Sequence, residues 1–97
     1  MRHYHRTHIT PELVMSAADE YFATLSLARQ ASSPRSRVYA GELGTVKVSV
    51  KPEGGHYTFI EAETDQVGES RLDRNVKRFF VQVHRQADPS HKQDTSY

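Results

Sequence analysis

Val46-Lys47-Val48-Ser49-Val50-Lys51-Pro52-Glu53-Gly54-Gly55-His56-Tyr57-Thr58-Phe59-Ile60-Glu61-Ala62-Glu63-Thr64 is the stretch on which the fold turns. Val46, Val48 and Val50 alternate with Lys47, Ser49 and Lys51, the two-residue period of a half-buried strand. Pro52 to Gly55 has turn composition, and His56 to Thr64 is rich in β-branched and aromatic side chains, so the chain returns as a second strand. The register of this hairpin is open: the valines share a face either with Thr58, Ile60 and Ala62 or with Tyr57, Phe59 and Glu61. The first choice leaves Tyr57 and Phe59 exposed beside Lys47, Lys51 and Glu61. Leu43 has the opposite parity to the valines, so either Gly44 marks a bulge or Leu43 precedes the regular pairing.

Upstream, Thr10-Pro11-Glu12 starts a helix: threonine caps a free N–H, proline suits the first helical position, and glutamate faces the positive end of the dipole. Val14, Ala17, Ala18, Tyr21, Phe22, Leu25 and Ala28 follow at three- and four-residue steps, with Glu12, Ser16, Asp19 and Glu20 on the other side. This pattern predicts a helix over 11–30, broken by Ala31-Ser32-Ser33-Pro34. A short extra strand can lie at 37–41. Downstream, Asp65 to Glu69 forms a loop, and Ser70 with Asp73 resembles a capping box opening a helix whose apolar stripe is Leu72, Val76, Phe79, Phe80 and Val83. Pro89 sets its latest end. The expected fold is α+β, a two-layer sandwich of order α-β-β-α, with two amphipathic helices covering one face of an antiparallel hairpin. Residues 10–87 make its single domain, between a flexible His/Arg-rich arm at 1–9 and a disordered tail at 88–97.

The 97 residues allow one small domain, and 36% hydrophobic with 26% charged residues suits a thin core. Mean hydropathy is −0.72. Cysteine is absent, which excludes disulfide scaffolds, cysteine-ligated metals and thiol catalysis. No apolar run has the length of a signal peptide or a membrane span, so a cytoplasmic protein without membrane contact is expected. Thirteen Lys and Arg against twelve Asp and Glu leave a net charge of +1, with no global pull toward polyanions.

A lone hairpin leaves strand edges open, and its second strand is apolar on both faces. The leading expectation is therefore a noncatalytic protein-interaction domain, homodimeric through the hairpin, with Tyr57, Phe59 and Tyr39 at the interface. Arg71, Arg74, Arg78 and Arg85 recur at steps of three, four and seven, on a helix face opposite the apolar stripe. With Arg35 and Arg37 from the preceding linker they make the alternative, a nucleic-acid or other polyanion-binding module. The same charges can instead be solvated, or paired with Glu12, Asp19 and Glu20. A second alternative is a small apolar ligand held between sheet and helices.

His3, His5 and His8 have imidazoles that bind metals adventitiously, but without a carboxylate or thiolate beside them no metal site is assigned. The carboxylate-rich loop Glu61 to Ser70 is where an enzyme search would begin, with His56 or His84 as base. No spacing sets either against a nucleophile, so neither an enzyme nor a cofactor is expected. Glu61 and Glu63 are expected to offset Lys47 and Lys51 across the hairpin.

Overall fold

The computed structural model describes residues 1–87. The expected hairpin forms as β4 (Gly44–Glu53) and β5 (Tyr57–Thr64), preceded by β1 (Arg2–Thr7), α1 (Pro11–Ala23), β2 (Ala28–Ser33) and β3 (Ser36–Gly41), and followed by α2 (Arg71–Ala87). The result is an α+β fold with a five-stranded antiparallel sheet, ordered β1-β5-β4-β3-β2. The order α-β-β-α thus lacks β1 and β2, β3 takes the place of the short extra strand expected at 37–41, and both edges of the hairpin are taken by the chain itself, β5 pairing with β1 and β4 with β3.

Val48 pairs with Ala62 and Val50 with Ile60, so the valines share a face with the small and aliphatic residues of β5. That face joins Val14, Ala18 and Phe22 of α1 and Leu72, Val76, Phe79 and Val83 of α2 in one buried cluster. The alternate residues Lys47, Lys51, Tyr57 and Glu63 face outward and are exposed. Gly41 pairs with Gly44 around the Glu42-Leu43 turn, so Leu43 precedes the pairing and no bulge occurs there. Gly44 has φ of 127°, and a Cβ on it would come within 2.6 Å of Asp65 Oδ1. The bulge lies in β2, where the register shifts between Arg29 and Ala31.

Three expectations are corrected. The arm at 1–9 contains a strand: His3 pairs with Ala62 and His5 with Ile60. Its inward positions are His3, His5 and Thr7, which gave no apolar alternation to read. The first helix stops at Ala23, because Thr24 Oγ1 donates back to the Tyr21 carbonyl at 2.6 Å and Ser26 turns left-handed at φ 61°. Leu27 N–H then closes the end on the Phe22 carbonyl at 3.3 Å, burying the leucine, the arrangement of a Schellman cap. Beyond it, 28–33 is an exposed edge strand instead of helix and linker. The tail at 88–97 and Pro89 lie outside the described residues. No described helix is long and apolar enough to cross a membrane.

Candidate functional site

The start of α2 determines which of its charges reach the surface. Ser70 Oγ accepts the Asp73 N–H at 3.0 Å, as a helix cap does, and donates to Asp73 Oδ2 at 2.5 Å. Thr64 Oγ1 donates to Asp73 Oδ1 at 2.8 Å, and His3 Nε2 lies 2.7 Å from the same oxygen. Asp73 is 1% exposed. Burial pushes its carboxyl up, but hydrogen bonds from Ser70, His3 and Thr64 outweigh that and hold it below the usual carboxylate range. The one acid of α2 is therefore turned inward, and the helix shows solvent only its cations and neutral side chains.

Arg71, Arg74 and Arg78 line an open depression of about 230 Å³ with Asn75 between them. Asn75 is fixed from both sides: Nδ2 donates to the Arg71 carbonyl at 2.8 Å, and Oδ1 accepts the Tyr21 hydroxyl of α1 at 2.9 Å. Burial raises the Tyr21 phenol, and the Arg78 charge opposes the shift. Arg85 lies exposed on the same face two turns further on. Among the described residues, the ion pairs are Arg2–Glu63, Arg6–Glu53, Arg29–Asp19, Arg37–Asp19 and Lys77–Glu69. None of them uses an arginine of α2.

Of the three acids expected as partners on α1, Glu12 and Glu20 form no ion pair among the described residues, and Asp19 is occupied elsewhere. Asp19 accepts from Arg29 at 3.1 Å, from Arg37 at 3.2 Å and from the Tyr39 hydroxyl at 2.7 Å. Arg37 also donates to the carbonyls of Ser33 and Ser36, so it is removed from the polyanion set. Arg35 is exposed at the β2–β3 turn, at the sheet edge far from β1, and does not line the depression. Tyr39 is corrected as an interface residue: it is 2% exposed and its ring stacks on Phe22 at 5.0 Å. Burial, with the Asp19 carboxylate beside it, raises its phenol. Between helices and sheet, where an apolar ligand would sit, Phe22 packs on Tyr39 and, at 5.3 Å, on Phe79.

Tyr57 and Phe59 lie on the outward face of the sheet, as the first register requires. Tyr57 is 43% exposed with its ring 4.6 Å from that of His8, while Phe59 stacks on Tyr4 at 5.6 Å with the Arg6 guanidinium 6.0 Å from its centre. Tyr4, 54% exposed, is an outward aromatic that the sequence did not single out, because the inward His3, His5 and Thr7 give β1 no apolar face. Glu63 lies opposite Lys47, as expected, but its ion pair is with Arg2; Lys51 faces Phe59. The histidines are separated: His3 is on Asp73, and His5 stacks on Phe80 at 5.2 Å with His84 6.5 Å away. No group of three metal-ligating side chains occurs among the described residues. No protein-family model matches the chain, and no curated protein matches it by sequence.

Proposed function

We propose that the protein is a noncatalytic nucleic-acid-binding module that grips backbone phosphates through the arginine face of α2. The observation that carries this reading is the inward turn of Asp73, which leaves Arg71, Arg74, Arg78 and Arg85 without a carboxylate partner among the described residues. Guanidinium groups stay protonated and present paired donors matched to phosphate oxygens, and the remaining amide N–H of Asn75 between them adds a donor without charge. Such a lining binds anions but supplies no nucleophile or general base. At about 1.5 Å rise per residue the first three arginines span roughly 10 Å along the helix, enough to engage consecutive phosphates. The hairpin edges that suggested a protein partner are occupied by β1 and β3, whereas the arginine face is open.

Neutralising about three or four phosphates gives a slope of log affinity against log salt near −3, roughly a 60-fold loss between about 50 and 200 mM. Fluorescence anisotropy with labelled RNA and DNA, single-stranded and duplex, measures it. The double variant Arg74→Glu/Arg78→Glu should abolish binding while leaving the circular dichroism spectrum intact. Binding that is insensitive to salt, or that survives both reversals, would remove α2 as the site.

A further inference from the structure

The face of the sheet turned away from the helices carries two unlike columns on its central strands, flanked on β1 by Arg2, Tyr4 and Arg6, where Arg2 pairs with Glu63 and Tyr4 stacks on Phe59. Outward on β4 stand Lys47, Ser49 and Lys51; outward on β5 stand Tyr57, Phe59, Glu61 and Glu63. Across the pair, Lys47 lies opposite Glu63 and Lys51 opposite Phe59. Neither lysine has an ion pair among the described residues. On β4 and β5, a column of cations beside a column of rings and anions is complementary to itself.

We infer that this face docks onto the same face of a second copy of the chain, about a two-fold axis running along the strands between β4 and β5. That operation keeps height along the strands and exchanges the two columns. Glu63 then meets the partner's Lys47, and Phe59 meets the partner's Lys51 as a cation over a ring, each contact occurring twice. Aligned sheets pack this way at about 10 Å separation, within the angle their twist imposes. Four strands about 4.8 Å apart and roughly six residues long offer only about 400 Å² in projection per copy. Association is therefore weak and reversible, with a dissociation constant of micromolar order. The helices lie on the opposite side, so both arginine faces stay open, and the dimer does not depend on nucleic-acid binding.

Sedimentation velocity over roughly 5–300 μM tests it, a range that brackets a micromolar constant. The wild type should pass from 11.1 kDa toward twice that mass. Glu63→Lys should raise the midpoint at least about tenfold, the loss of roughly 1.4 kcal/mol of pairing, and adding Lys47→Glu to it should restore association. Tyr57→Ser, at an exposed position, should weaken it, and Arg74→Glu/Arg78→Glu should leave it unchanged. A monomer throughout overturns the proposal. So does a dimer indifferent to Glu63→Lys and Tyr57→Ser, or a charge exchange that fails to restore what the single reversal lost.

Discussion

Asp19 on α1 and Asp73 on α2 are both held by three partners, yet they leave opposite surfaces behind. Asp19 is partly exposed and gathers Arg29, Arg37 and Tyr39, so it consumes the cations of β2 and β3. Asp73 is buried and gathers Ser70, Thr64 and His3, so it consumes none of the arginines on its own helix. Net charge is +1 for the whole chain, but what a ligand meets depends on where each carboxylate points. One side of the molecule has its arginines locked into the structure; the other has them free.

Removing each aspartate breaks this contrast in a different way. Asp73→Ala should cost the most, about 3 kcal/mol in urea unfolding, because it deletes buried hydrogen bonds and leaves the Thr64 hydroxyl and His3 without their acceptor. A loss under about 1 kcal/mol would mean the network is incidental to stability. Asp19→Ala should cost about 1–2 kcal/mol, chiefly by orphaning the Tyr39 hydroxyl. It should also release Arg29 and Arg37, steepening the salt dependence of nucleic-acid binding by about one to two in slope. An unchanged slope would show that their positions, not their pairing, keep them from phosphate.

Acid should sharpen the contrast in two steps, readable from melting temperature between about pH 3 and 8. Burial, with the His84 charge adding to it, lowers the His5 imidazole. The unfolded chain therefore binds a proton that folded His5 resists, and stability falls as pH drops below about 6.5. Asp73 is also held low, so its contribution is complete above about pH 4 and is lost as pH falls further. His5 Nε2 is buried without a hydrogen-bond partner among the described residues. His5→Phe should erase the first step and add about 1 kcal/mol at neutral pH; an unaltered slope would place that titration elsewhere. The smallest effect is expected from Arg74→Ala/Arg78→Ala, within about 0.5 kcal/mol of wild-type stability. A larger cost would make those arginines structural, like Arg37.

Periodicity was legible where the core is apolar. The β4 valines, the stripe Leu72, Val76, Phe79 and Val83, and the caps at Thr10 and Ser70 all stand where spacing placed them. It failed where strands bury polar groups or nothing. β1 turns His3, His5 and Thr7 inward, and β2 is exposed along its length, so neither shows the alternation that marks a half-buried strand. Leu25 and Ala28 continue the helical spacing of α1 although the helix has ended at Ala23. The arginine face of α2 followed from sequence steps of three, four and seven. The burial of Asp73 did not, because it depends on Thr64 and His3, nine and seventy residues away.

That distance bears on the order of folding. The β4–β5 hairpin can close locally, but β1 must wait for partners that come more than fifty residues after it. When β1 docks, His3 also reaches the Asp73 carboxylate in the capped first turn of α2, so the first strand latches the start of the last helix. Amide protons of β1 and of the start of α2 should therefore exchange together, as one cooperative unit. The arginine platform becomes rigid only when the earliest-made segment of the sheet has come home.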